Sequence, residues 1–282
     1  MSRQELFCIT GFRIVTADLD RLVRFYSEVL GFAVQSEEHQ IGQAEMALLG
    51  LSGSGLRQVL TLGQQTLSID QFEHAGQPYP EGSDAASLWF QHLALVVTDI
   101  AEAYGCLRDA APISLGGPQR LPASSGGVQA FKFRDPDGHP LEFLEFPQDN
   151  TPTAWRGRHP LPGQIGLGID HSAISVADAR VSAGYYRALG LQIGDRTLNE
   201  GPEQQRLDDL PDVMVEVVTM KPPEAPPHLE LLGYRMQAGH EHAALQPNDV
   251  AATRIVWRGR AKELIRDPDG HLQQIETQEQ SI

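Results

Sequence analysis

Two histidines of this chain occupy the same position in two repeated segments. His92 and His171 each lie seven residues ahead of an aspartate, at the start of an apolar run. A later strand-like run of each repeat carries a glutamate, Glu142 in the first and Glu230 in the second. Two imidazoles and two carboxylates suit nickel, cobalt, iron, manganese or zinc, whereas calcium and magnesium prefer oxygen ligands alone. The pattern predicts one divalent metal site assembled from two repeats.

The setting of Glu142 supports a role as a ligand. With the two-residue period of a strand, Glu142 shares a face with Leu144 and Phe146, whereas Glu145 points to the opposite face. A glutamate among apolar neighbours on an inward face needs a partner, and a cation is the simplest one. A single strand histidine is more often a hydrogen-bonded structural residue. Because the two histidines stand at equivalent positions of two copies, metal ligation is favoured for both.

The other candidate residues have simpler interpretations. His228 shares the predicted face of Glu230, and we expect it to face solvent rather than to act as an extra ligand or a neighbouring donor. His139 and His271 each follow a turn glycine and are expected to be structural. The tract His240-Glu-His242 is polar and predicts a loop. Cys8 and Cys106 have no motif around them, and a buried role is expected for both.

Internal repetition shows which elements must position these residues. The segment that starts at Gly11 overlays the one that starts at His171 with a constant shift of 160 residues. Each copy predicts a strand followed by a helix, with Asp18 or Asp178 as the N-cap. The helix face at Leu22, Phe25, Tyr26 and Val29 has the spacing of a buried stripe, and each helix is closed by a glycine, Gly31 or Gly190.

Four units follow from this repeat. Strand-like runs are predicted at 44–49, 58–62 and 65–72 after the first helix, and at 213–220 and 228–234 after the third. An Asp-Pro-Asp-Gly-His motif ends at His139 and again at His271, and it predicts a hairpin turn before a last strand. The units cover residues 6–72, 90–146, 168–234 and 250–276. Unit four has no room for a helix between Trp257 and Glu263.

Composition limits the class of protein. The chain has 282 residues, 41% of them hydrophobic, which suffices for two domains. A net charge of −15 argues against nucleic acid and membrane surfaces as partners. Two cysteines are too few for a disulfide framework, and neither an export signal nor a long apolar stretch is present. We therefore expect a cytoplasmic protein.

A segment rich in proline and glycine, residues 147–163, has no periodic apolar pattern and predicts the domain linker. The expected division is a first domain at 1–147, with units one and two, a linker at 148–163, and a second domain at 164–282, with units three and four.

The four units, each of strand, helix and further strands, with Asp-Pro-Asp-Gly-His before a last strand, resemble the vicinal oxygen chelate superfamily. This group is also called the glyoxalase and bleomycin-resistance superfamily. The resemblance implies an α+β fold in which tandem βαβββ modules form two open barrels of mixed sheet, each around a concave pocket. It also implies that the first and last strands of a unit contribute one metal ligand apiece.

Carried over residue by residue, the resemblance gives the ligand set His92, Glu142, His171 and Glu230. Unit one has Gly11 and Ser68 at the equivalent positions, and unit four has Gln274. Pairing of consecutive units would therefore leave two half-sites. The superfamily includes members with exchanged pairing, and we predict that unit two pairs with unit three and unit one with unit four. Exchange between the two chains of a homodimer would satisfy the same chemistry.

The resemblance also implies an activity. The ligand set is similar to that of bacterial glyoxalase I, a metal-dependent lyase that acts on a small molecule, the adduct of a 2-oxoaldehyde and a thiol. There the ion stabilises an enediolate, and Glu142 or Glu230 would move the proton as catalytic base. One alternative is an extradiol-type dioxygenase with iron held by two histidines and one carboxylate. Another is a metal-free protein that sequesters a drug or metabolite.

Overall fold

A computed structural model describes residues 4–224, 226–235 and 244–277, and its strands form two mixed sheets. The tract His240-Glu-His242 lies outside these residues. In the described residues the outer-unit sheet, from units one and four, has eight strands: β1 (Leu6–Thr16), β2 (Ala33–Val34), β3 (His39–Gln40), β4 (Gly55–Leu62), β5 (Gln65–Phe72), β15 (Arg254–Gly259), β16 (Glu263–Arg266) and β17 (Leu272–Glu276).

The middle-unit sheet takes its strands from units two and three. Within the described residues it has nine: β6 (Gln91–Val97), β7 (Ala111–Pro112), β8 (Gln119–Arg120), β9 (Gln129–Arg134), β10 (Pro140–Glu145), β11 (Gly166–Ser175), β12 (Gln192–Glu200), β13 (Met214–Lys221) and β14 (His228–Tyr234). Both sheets are open and combine parallel with antiparallel pairs. The predicted α+β class with tandem modules is confirmed.

The predicted exchange of units is confirmed by the strand pairing. β1 pairs antiparallel with β15, which joins units one and four, and β6 pairs antiparallel with β11, which joins units two and three. The division into 1–147, 148–163 and 164–282 stays a prediction about the order of units along the sequence. In the structure, each sheet takes strands from both sides of the linker.

The helices connect the strands and cover the sheets. They are α1 (Leu19–Arg24), which continues as a π-helical turn (Phe25–Val29), α2 (Gln43–Leu49), α3 (Ile100–Cys106), α4 (Ala179–Ala188) and α5 (Pro202–Asp208). The predicted N-caps are confirmed, because Asp18 accepts from the backbone N–H of Arg21 and Asp178 from that of Val181. No helix in the described ranges is long and apolar enough to cross a membrane.

Two expectations are wrong. Residues 44–49, predicted as a strand, lie in helix α2, which follows Gly42 and ends at Gly50 in the left-handed region with φ 68°. A short apolar run fits either state, and burial of Met46 and Leu49 on one helix face decided it. The cysteines are not both buried, since Cys106 is exposed and Cys8 is half-buried.

One large hydrophobic cluster takes residues from both sheets and from α1, α3 and α4. The two predicted structural histidines tie the sheets together beside this core. The His139 Nε2 atom lies 3.0 Å from the carbonyl oxygen of Val250, and His271 Nε2 lies 2.9 Å from that of Ser175. Both histidines are buried, as expected for structural residues.

Candidate metal centre

Strand register brings the predicted ligands to one face of the middle-unit sheet. On β6, Ala94 lies opposite His171 of β11 and opposite Glu142 of β10. His92 lies two residues before Ala94, so its side chain points to the same face. Ligands from units two and three therefore meet where β6 and β11 pair.

The fourth predicted ligand joins them from β14. Glu230 lies beside Ala173, which is itself opposite His92. Glu142 Oε2 lies 3.2 Å from His92 Nε2 and 3.8 Å from His171 Nε2, and Glu230 Oε2 lies 3.5 Å from His171 Nε2. The nearest ligand atoms of His92, Glu142 and His171 all lie within 4.8 Å of one another. The structure brings all four residues together.

The state of His92 tests whether these residues fit a metal ion. Its side chain is 2% exposed, yet neither ring nitrogen has a hydrogen-bond partner among the described residues. The Nε2 atom approaches Glu142, but without the geometry of a hydrogen bond. A buried imidazole with both nitrogens unpaired is costly. Coordination of an ion would satisfy it, so this donor set of nitrogen and oxygen atoms fits a divalent metal.

A carboxylate that sequence reasoning missed orients His171. The Oδ2 atom of Asp170 lies 2.9 Å from His171 Nδ1, and Trp155 of the predicted linker donates its indole N–H to Asp170 Oδ1. Consecutive strand residues normally face opposite sides, but the register of β11 shifts between Ile169 and His171. This irregularity lets both side chains serve the site, and such carboxylate–histidine pairs commonly support metal ligands.

Burial and charge set the protonation of the ligands. Burial lowers the pKa of His171, but Glu230 and Asp170 outweigh it and raise that pKa to about 9. Burial also lowers the pKa of His92, and the nearby Glu142 only partly opposes this effect. For Glu142 and Glu230, burial raises the pKa, yet the histidines more than offset it and the pKa of each falls. Both glutamates are therefore ionised at neutral pH.

His228 differs from the expectation that it faces solvent. Its side chain is 18% exposed, and its ring centroid lies 5.1 Å from that of His171. The Nε2 atom lies 3.5 Å from Glu230 Oε1, and Nδ1 lies 3.8 Å from Asp170 Oδ2. His228 is thus part of the site, because it lies directly opposite His171 in the parallel pair of β11 and β14.

The ligands line a cavity of about 880 Å³ on the same face. Its walls combine apolar residues, such as Leu121, Leu144 and Leu207, with the polar residues Lys132 and Gln204. A cavity of this size, with a few convergent polar groups, is typical of a small-molecule site.

The equivalent face of the outer-unit sheet has no comparable group of ligands among residues 4–224, 226–235 and 244–277. Gly11 lies opposite Val256 as His171 lies opposite Ala94, and Gln274 lies beside Val256 as Glu142 lies beside Ala94. By the same register, Arg254 takes the position of His92 and Ser68 that of Glu230. The predicted lack of ligands at Gly11, Ser68 and Gln274 is consistent with this arrangement.

Comparison with solved structures places the fold in a known class. Glyoxalase I from Zea mays is similar over 97% of this chain and 92% of that chain, with 13% identity and a TM-score of 0.60. A putative dioxygenase from Bacillus subtilis is similar over 97% of this chain and 86% of that chain, with 14% identity and a TM-score of 0.57. At these identities the likeness shows the fold alone, which is glyoxalase-like.

The sequence itself points to the same group. Residues 9–143 match the sequence profile of the Glyoxalase/Bleomycin resistance protein/Dioxygenase superfamily. No curated protein matches the chain. The profile match and the shared fold together confirm the resemblance to this superfamily.

Proposed function

We propose that the middle-unit site binds one divalent metal ion through His92, Glu142, His171 and Glu230. The observation that carries this proposal is His92, a buried imidazole that has no hydrogen-bond partner among the described residues and lies 3.2 Å from the carboxylate of Glu142. We further propose that the protein is a glyoxalase I-like lyase or isomerase. Its substrate would be a small molecule with adjacent oxygens, such as the adduct of a 2-oxoaldehyde and a thiol.

The residues of the site would divide the work. When bound, the ion would supply Lewis acidity toward two adjacent substrate oxygens. Asp170 holds the His171 ring through Nδ1 and leaves Nε2 for coordination. Glu142 lies within the compact group with both histidines, whereas Glu230 lies outside it and has a side chain that is 20% exposed toward the cavity. Glu230 is therefore the better placed glutamate to move a proton between neighbouring carbons.

Metal analysis tests the shared site. We expect about one divalent ion per chain after growth with nickel, cobalt, iron, manganese and zinc, and near-complete loss of the ion in both His92→Ala and His171→Ala. The reason is that each substitution removes a nitrogen ligand from the same centre. Gln274→Ala is the matched control, because Gln274 occupies the position of Glu142 in the outer-unit sheet. Full metal occupancy in either histidine variant would contradict convergence on one ion.

Turnover of a 2-oxoaldehyde with a thiol by the metal-loaded protein would support the lyase function. The second candidate is a ring-cleaving dioxygenase, favoured by the compact group of two histidines and one carboxylate, which is the ligand set of many iron oxygenases. Oxygen consumption with catechols by the iron-loaded protein would favour that function instead. A native protein that takes up no metal would point to sequestration of a small molecule. The cytoplasmic location and the homodimer remain predictions.

A further inference from the structure

A second polar cluster lines the cavity beside the proposed metal centre, and the proposed reaction does not use it. Its cation is Lys132 of β9, which lies directly opposite Glu142 in the antiparallel pair of β9 and β10. Lys132 is 3% exposed, and its ammonium donates to Asp208 Oδ1 at 2.6 Å. An ammonium has three N–H groups, and this is its one hydrogen bond to a described residue.

Helix α5 supplies a second polar group of the cluster, the side-chain amide of Gln204. Gln204 is 4% exposed and donates its amide N–H to Asp208 Oδ2 at 2.7 Å, which fixes the orientation of the amide. The Oε1 atom of Gln204 has no hydrogen-bond partner among the described residues. The hydroxyl of Tyr234 donates to the same Asp208 oxygen at 3.1 Å. Lys132, Gln204 and Tyr234 all line the cavity, and Asp208 holds them there.

The charge of this cluster limits what it can bind. Burial lowers the pKa of Lys132, but Asp208 and Glu142 outweigh it and raise that pKa, so the ammonium is charged. Asp208 balances this charge at 2.6 Å. A substrate carboxylate would add a negative charge next to Glu142 and would offer no proton to Gln204 Oε1. A neutral hydroxyl would accept from Lys132 and donate to Gln204, and so would satisfy both groups.

We infer that Lys132 and Gln204 form a specificity subsite that binds a neutral hydroxyl of the substrate, close to the oxygens held at the metal centre. This inference rests on the proposed function and narrows the substrate class. The substrate would be a small polyoxygenated compound, with two adjacent chelating oxygens and a hydroxyl a few atoms away. Lys132 lies directly opposite the proposed ligand Glu142, and Cβ atoms at such positions are about 5 Å apart. The hydroxyl subsite therefore lies close to the metal centre.

Two chelators that differ by one hydroxyl test the subsite. Acetohydroxamate and glycolohydroxamate both offer two adjacent oxygens to a metal, and only the second carries the extra hydroxyl. By calorimetry with the metal-loaded protein, we expect glycolohydroxamate to bind about tenfold more tightly. Gln204→Met should remove this preference and leave the affinity for acetohydroxamate unchanged. The double variant Lys132→Met with Asp208→Asn removes both charges of the pair and should have the same effect.

Lys221→Met is the matched control, because Lys221 also lines the cavity but is exposed and far less constrained. It should keep the tenfold preference. Equal affinities in the native protein, or a preference that survives Gln204→Met, would overturn the subsite while the metal centre stands. A native protein without metal, or one whose metal binds neither chelator, would overturn the proposed function and the subsite with it. Metal content is measured first for each variant, so these failures are distinguishable.

Discussion

The two sheets follow one plan, but they neutralise the carboxylates on their equivalent faces in different ways. In the outer-unit sheet, Arg254 is fully buried and donates to Asp70, and Arg57 donates to the other oxygen of Asp70 at 2.6 Å. In the middle-unit sheet, the equivalent of Arg254 is His92, which meets Glu142. On the outer-unit face arginines meet the carboxylates, whereas on the middle-unit face imidazoles that could hold an ion meet them.

Ion pairs connect the charged residues of the outer-unit face. Glu45 of α2 pairs with Arg57 and Arg13, and Arg13 also pairs with Glu276 at 2.7 Å. Gln274 donates to Glu45 Oε1 at 3.0 Å. Three arginines thus balance three carboxylates, counting Asp70, and helix α2 closes the face. On the middle-unit sheet a cavity remains. The comparison indicates that the same face forms an ion-pair layer where arginines meet its carboxylates, and that it keeps a cavity where histidines meet them.

The strongest test of this contrast removes the fixed cation. Arg254→Met should lower the free energy of unfolding by about 3 kcal/mol, because it removes one of the two arginines that pair with the buried Asp70 carboxylate. Denaturant unfolding monitored by circular dichroism measures the loss.

The control is the double variant Arg254→Met with Asp70→Asn, which removes the charge that Arg254 faces and should recover part of the stability. A loss below about 1 kcal/mol in the single variant would show that Arg254 does not replace a bound cation in the way described.

Acid should remove the ionic stabilisation at Glu45 only below the ordinary pKa of a glutamate. Burial raises the pKa of Glu45, but Arg57 and Arg13 outweigh it and lower that pKa from 4.5 to about 2. A lowered pKa contributes stability that is present above the unfolded value and is lost as pH falls through about 2. Glu45→Gln should therefore cost about 2 kcal/mol in free energy of unfolding at pH 6 and progressively less as pH falls below about 4.5.

Unfolding curves at several pH values measure this difference. Glu38 is exposed and serves as the control, since Glu38→Gln should leave the free energy of unfolding at pH 6 unchanged. A constant gap between native and Glu45→Gln protein down to pH 3 would be inconsistent with ionic stabilisation at α2.

The smallest expected effect concerns the support of His171. Asp170→Asn should weaken metal binding about tenfold, because an amide supports the imidazole less strongly than a carboxylate does. Competition with a metal-binding dye measures the affinity. Thr10 occupies the equivalent irregular position of β1, where its hydroxyl donates to the carbonyl oxygen of Val256. Thr10→Ala should leave metal affinity unchanged, and an equal loss in both variants would remove the special role assigned to Asp170.

Much of the fold can be predicted from the sequence because the internal repeats can be aligned with one another. The constant shift of 160 residues identified the caps Asp18 and Asp178, and the ligand pattern predicted the exchanged pairing of units. His92 and His171 could be recognised because two copies placed them in register. The features predicted correctly are therefore those that recur at equivalent positions of the repeats.

The residues that were missed depend on features that the repeat does not encode. Asp170 precedes a ligand directly, and only a shift in strand register turns it to the same face. Arg254 could not be aligned with His92 by a constant shift, because β15 is followed directly by β16 with no helix between them. In the sequence Lys132 resembles any strand lysine. Its role depends on Asp208, which lies 76 residues later in a helix. Tertiary contacts of this kind have no local pattern in sequence.

The order of the units also shapes how the chain is made. Strands β6 to β14, which hold every predicted metal ligand, form one continuous stretch, whereas β1 has its partner β15 beyond residue 250. During synthesis every strand of the middle-unit sheet is therefore made before β15, the antiparallel partner of β1. Removal of β15 to β17 would therefore take away the antiparallel partner of β1 and leave all the strands of the middle-unit sheet in the chain.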